Sequence, residues 1–151
     1  MQSRYPHTTV CRLPLMLGTG SPAADGLLKE MLKAMGNRKE LRLFTDEIRT
    51  PVSTETAAQG LLLALRKAQG TTLHLGGAER ISRWELGRLI AEVFSANNTG
   101  LLPCQQKDAT LVAPRPHDVS LDSARAAEIG YRPGPLREQL CAVRVKMGLS
   151  S

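Results

Sequence analysis

Residues 41–77, LRLFTDEIRTPVSTETAAQGLLLALRKAQGTTLHLGG, read as strand, turn, long helix and strand. Leu41, Leu43 and Ile48 alternate with polar residues around the acidic turn Thr45-Asp46-Glu47, the period of a half-buried ribbon. Pro51 stops pairing, and Ser53, Thr54 and Thr56 offer side-chain oxygens to cap a helix. Ala57, Ala58, Leu61, Leu62, Leu65 and Ala68 recur at helical spacing and predict one apolar stripe. Gly70 ends that helix, and Thr72 to Leu75 form a short strand closed by Gly76-Gly77. The unit is therefore βαβ-like and belongs at one edge of a larger α/β sheet.

Working outward, residues 8–13 (TTVCRL) read as a buried strand of the kind found inside parallel sheets. Little chain precedes it, so one edge of that strand is expected to lack a neighbour. A Gly/Ser/Pro loop follows, and Leu27, Leu28, Met31, Leu32 and Met35 mark an amphipathic helix ended by Gly36-Asn37. Downstream, Ser82-Arg83-Trp84-Glu85 fits a capping box that opens a helix through Leu86, Leu89, Ile90, Val93 and Phe94. Ile81 and Leu86 are placed to staple it, and Trp84 is expected to pack at its start. Residues 101–112 read as a strand and a polar loop, and residues 114–122 as a stiff extended segment. A short helix over 124–129, a turn over 131–135 and an amphipathic helix over 136–147 complete the chain.

Composition narrows the function classes. The chain has 151 residues, enough for one domain with a core. Its five aromatic residues are Tyr5, Phe44, Trp84, Phe94 and Tyr131, too few for a surface that stacks nucleic-acid bases. The net charge of +6 suits an anionic ligand, but the cations are scattered, as on a solvated basic surface. Cys11, Cys104 and Cys141 are far apart and odd in number; with His7, His74 and His117 they make no metal-ligand spacing. A reducing, cytoplasmic setting is expected, with no membrane span and no convincing signal peptide.

Four pieces in order carry a resemblance: Arg12-Leu13-Pro14-Leu15 with Gly18; Phe44-Thr45-Asp46-Glu47-Ile48-Arg49-Thr50-Pro51-Val52; Leu73-His74-Leu75-Gly76-Gly77 with Ile81-Ser82-Arg83-Trp84-Glu85-Leu86-Gly87; and Arg115-Pro116-His117-Asp118-Val119-Ser120-Leu121-Asp122. Together they resemble the C-terminal, substrate-binding half of extended short-chain dehydrogenases. The nearest branch is that of dTDP-4-dehydrorhamnose reductase and the NAD-dependent epimerase/dehydratase family. Thr56 stands where the resemblance implies an aspartate. The implied fold is α/β, the C-terminal part of a Rossmann-like enzyme lacking the N-terminal dinucleotide-binding half. Residues 1–151 would then be one partial domain, the last sheet strands plus a small substrate-binding portion.

That resemblance implies NAD(P) for a full-length enzyme and none bound by this chain alone. No G-x-x-G-x-x-G occurs in it, and neither Tyr5 nor Tyr131 is followed four residues later by lysine. Without that tyrosine–lysine pair, hydride transfer to a ketone has no proton partner, so no residue is assigned as catalytic.

The candidate substrate-binding residues are Leu17 and Gly18, at the end of a sheet strand, and Arg49 and Arg115. Each arginine lies near a proline on a stiff segment, a placement suited to holding a diphosphate. A salt bridge to Asp46 or Asp118 is the competing reading. Arg12 is expected to pair within the sheet. His117 and Asp118 are rejected as a catalytic pair because neighbours on an extended strand face opposite ways.

Three functions fit: the nucleotide-sugar-binding portion of an NAD(P)-dependent reductase or epimerase, a non-catalytic binding or regulatory protein resembling the beta subunit of methionine adenosyltransferase, or a truncated remnant. The implied partners are a nucleotide-sugar and either the missing cofactor half or a second copy at the open sheet edge.

Overall fold

The computed structural model of the protein describes residues 4–20, 26–109, 113 and 115–149. In chain order the elements are β1 (Val10–Arg12), β2 (Met16–Leu17), α1 (Leu27–Gly36), β3 (Leu41–Phe44), β4 (Ile48–Arg49), β5 (Val52–Ser53) and α2 (Thr54–Lys67). Then come β6 (Thr72–His74), β7 (Ile81–Ser82), α3 (Arg83–Val93), β8 (Leu101–Cys104), α4 (Ala124–Glu128) and α5 (Leu136–Lys146). A 3-10 turn, Gln106–Asp108, follows β8.

The strands pair two by two. β1 runs parallel to β6 with Cys11 opposite Leu73, and β2 runs parallel to β5 with Leu17 opposite Ser53. β3 runs parallel to β8 with Leu41 opposite Leu101, while β4 is antiparallel to β7. The βαβ-like reading of residues 41–77 is thereby corrected. Its first strand, β3, pairs with β8, and its last, β6, pairs with β1. Nor do Leu41, Leu43 and Ile48 form a ribbon, because β3 and β4 take different partners. Pro51 ends β4, yet pairing resumes at once in Val52–Ser53.

Two apolar cores result. The larger gathers Leu28, Met31 and Met35 of α1, Leu86, Ile90 and Val93 of α3, and Leu136, Leu140 and Val143 of α5. These helices close over β3 and β8, and Leu17 of β2 enters the same core. The three positions used in each helix lie three or four residues apart, so one face of each is buried. The capping box forms as the sequence predicts: Ser82 N–H donates to Glu85 Oε2 at 2.8 Å and Glu85 N–H to Ser82 Oγ at 3.1 Å.

The smaller core sets Ala64 of α2 and Ala126 of α4 against Leu73, Leu75 and Tyr131, with Cys11 at its border. Here the predicted stripe of α2 is corrected. The buried positions are Ala57, Gly60 and Ala64, while Leu61, Leu62 and Leu65 are exposed, Leu65 at 82 %. Close approach selects the small residues: a Cβ at Gly60 would stand 2.9 Å from a ring carbon of Tyr131. Ser53, not Thr56, caps α2, its Oγ accepting the Thr56 N–H at 3.1 Å. β1 is half-buried rather than buried, and Arg12 emerges from it beside His74, with Nη1 3.3 Å from Nε2.

Candidate anion site

A buried carboxylate organises the charged residues near β4. Glu47, 4 % exposed, ends the turn between β3 and β4. Its backbone carbonyl accepts the Arg83 N–H at 3.1 Å, which ties the turn to the first residue of α3. On the other side, Ile48 N–H donates to the His117 carbonyl at 2.7 Å and Val119 N–H to the Ile48 carbonyl at 3.3 Å. Those bonds lay the extended segment after residue 114 along β4 and bring Arg115 to the same place.

Three guanidiniums therefore surround one carboxylate. Arg49 Nη2 lies 3.2 Å and Arg83 Nε 3.3 Å from Glu47 Oε1, and Arg115 Nη1 lies 3.9 Å from Oε2. Their side chains are 17 %, 25 % and 57 % exposed. Burial holds the Arg83 guanidinium below its ordinary range; Glu47 works against that shift, and the charges of Arg49 and Arg115 add to it. The cluster carries more positive than negative charge at short range, which attracts an anion.

Two clefts meet this cluster. One, of about 560 Å³, is lined by Arg12, Leu13, Leu15, Arg49 and Leu121. The other, of about 150 Å³, is mostly apolar, lined by Leu27, Met31, Leu41, Leu43, Leu86 and Arg83. Arg49 borders the first and Arg83 the second, and both touch the same oxygen of Glu47.

Of the four residues predicted from sequence, Arg49 and Arg115 come together here. Their carboxylate partner is Glu47, not Asp46 or Asp118, which corrects that pairing. Asp46 instead accepts the Gln106 N–H at 3.1 Å and faces His117. Asp118 pairs with Arg80; hydrogen bonds from Ser120, then from Arg80, hold its carboxyl down to about 2. His117 and Asp118 thus serve different partners.

Leu17 has its side chain wholly inside the larger core. Gly18 is a glycine for packing: a Cβ there would lie 2.6 Å from Thr54 Oγ1.

Sequence reasoning missed Glu47 and Arg83. Glu47 reads as one of three polar turn residues and gives no signal. Arg83 does give one, because a cation at the first position of a helix opposes the helix dipole.

Tyr131, which burial pushes up to about 12, donates its hydroxyl to the Leu75 carbonyl at 3.0 Å. Among the described residues, no group of His, Cys, Asp and Glu is arranged to hold a metal ion, and no helix is long and apolar enough to cross a membrane.

The family model of the RmlD substrate binding domain matches residues 1–147. The chain belongs to that family. No curated protein matches it by sequence.

Among solved structures, this RmlD-type domain is similar to a dTDP-4-dehydrorhamnose reductase from Bacillus anthracis crystallised with NADP. The TM-score is 0.80 at 16 % identity, covering 91 % of this chain and 48 % of that one. A dTDP-4-dehydrorhamnose reductase from Clostridium acetobutylicum gives 0.80 at 20 % identity, covering 93 % and 49 %. A UDP-glucose 4-epimerase from Thermotoga maritima, solved with UDP-glucose, gives 0.69 at 22 % identity, covering 94 % and 47 %. The RmlD-type chain has their α/β, Rossmann-like fold and spans about half the length of each.

Proposed function

We propose that this chain is the substrate-binding portion of an NAD(P)-dependent nucleotide-sugar reductase or epimerase, and that it supplies binding rather than proton transfer. The observation that carries the reading is the gathering of Arg49, at the edge of a roomy cleft, and Arg83, at the edge of a narrow apolar one, on one carboxylate that Arg115 also approaches. A nucleotide-sugar has the matching sequence of parts: a flat base, a diphosphate and a sugar. The base suits the apolar cleft, the diphosphate the guanidiniums and the sugar the larger cleft. The NADP and UDP-glucose in the related structures support the class of cofactor and ligand.

The cofactor half would come from a partner polypeptide or a longer form of the chain, seated at the uncovered edge of β1 and the exposed leucines of α2. Three free cysteines suit a cytoplasmic setting.

Calorimetric titration of the 151-residue chain with dTDP-glucose and UDP-glucose tests the reading. Binding is expected, and Arg49→Ala together with Arg115→Ala should weaken it by about a hundredfold. Absence of binding to either ligand would sink it.

A second reading, a non-catalytic regulatory protein, draws support from the engagement of Tyr131 with Leu75 and from the missing tyrosine–lysine pair. Under that reading, adding a separate cofactor-binding half produces no ketosugar reduction, although ligand binding persists.

A further inference from the structure

Glu47 is arranged unusually for a buried carboxylate. Both close guanidiniums share Oε1, while the buried Oε2 has no hydrogen-bond partner. Burying a carboxylate is costly unless its oxygens are paired, so this placement does not serve Glu47 itself. What it does is hold two cations side by side on a single oxygen.

Those cations are not equally engaged. Arg49 also donates through Nη1 to the Ile48 carbonyl at 2.7 Å. Arg83 approaches Glu47 through Nε, and its side chain makes no further hydrogen bond among the described residues. Three costs converge on Arg83: lost hydration, two neighbouring like charges, and the positive end of the α3 dipole. Glu47 offsets part of them, and a bound anion would offset the rest.

We propose that Arg83 contacts the ligand directly, holding one of two linked phosphoryl groups while Arg49 holds the other, and that Glu47 is the positioning residue that sets the pair. The ligand class is the one proposed above, but the argument rests on this cluster, and inorganic pyrophosphate tests it apart from any nucleotide-sugar.

The experiment titrates the 151-residue chain with pyrophosphate and, separately, with a nucleotide-sugar. Circular dichroism melting confirms that each variant is folded. Arg83→Ala should weaken pyrophosphate binding by about ten- to a hundredfold, and Arg83→Lys should recover part of it.

Glu47→Gln gives the discriminating sign. It removes a negative charge, so a carboxylate that merely repels the anion predicts tighter binding. Positioning predicts weaker binding, with partial recovery in Glu47→Asp. Unchanged affinity in Arg83→Ala, tighter binding in Glu47→Gln, or no pyrophosphate binding by the unsubstituted chain would overturn the proposal. If the Glu47 variants do not fold, Arg83→Ala decides alone. Pyrophosphate bound without any nucleotide-sugar keeps this inference and removes the functional reading. A nucleotide-sugar bound equally well by Arg83→Ala does the reverse.

Discussion

The larger core is packed with long aliphatic side chains on every helix, whereas the helix over the smaller one packs with alanines and a glycine. Around β3 and β8, three helices turn Leu28, Met31, Met35, Leu86, Ile90, Val93, Leu136, Leu140 and Val143 inward, and each apolar face finds another. Around β1 and β6, the helix α2 turns alanines and a glycine inward and leaves Leu61, Leu62 and Leu65 outside. A helix whose small residues face in and whose large apolar residues face out has a second surface to cover. The adjoining edge of β1 is unpaired as well, since β6 is its one partner among the described residues. The first core is closed by its own elements; the second leaves large apolar side chains and one strand edge exposed among the described residues.

The sharpest way to break that contrast is to cut one large side chain from each region. Ile90→Ala, in the closed core, should destabilise the fold by about 2–5 kcal/mol in urea unfolding. Leu65→Ala should stay within about 0.5 kcal/mol of the parent. Leu65→Lys should also reduce self-association in sedimentation velocity. A monomeric parent chain with a large stability loss in Leu65→Ala would show that the outer face of α2 is already satisfied.

Tyr131 sharpens the comparison from inside the smaller core. Its hydroxyl reaches the Leu75 carbonyl within a buried setting, and Tyr131→Phe should cost about 1–3 kcal/mol. The pH dependence has a definite sign. The folded chain keeps the phenolic proton up to about pH 12, whereas the unfolded chain releases it near the ordinary value of 10.0. The unfolded state then binds fewer protons, so stability falls as pH rises from about 10 to about 12. Unfolding free energies measured across that window should decline for the parent and stay flatter for Tyr131→Phe. Equal slopes would mean that the ring is hydrated in the folded state.

A smaller loss than that of Ile90→Ala belongs to the closed core's own local signal. Ser82→Ala removes the capping side chain of α3 and should cost about 1 kcal/mol. Because α3 starts beside Glu47, the same variant should also weaken pyrophosphate binding slightly through Arg83. A cost below about 0.3 kcal/mol would show that packing alone holds the start of α3.

What was legible in the sequence was local. The stripes of α1 and α3 and the Ser82–Glu85 box depend on residues a few positions apart, so their spacing suffices. The stripe of α2 misled because periodicity ranks leucine above alanine, whereas Tyr131 and β6 admit only small side chains against that helix. Arg49 and Arg115 were visible as cations on stiff segments. Their partner was not, because Glu47 lies in a turn and its burial is produced by α3 and the segment after residue 114.

By itself, then, the sequence determined the helices, the Ser82–Glu85 capping box, the α/β class and the absence of a tyrosine–lysine pair. Each follows from residue type and short-range order. Only the tertiary structure decided that β3 pairs with β8 and β6 with β1, and that Leu17 is core. It alone made Glu47 the common partner of three arginines. Those outcomes depend on contacts between residues tens of positions apart, where packing and the desolvation of charge select one arrangement among several that the local pattern allows equally.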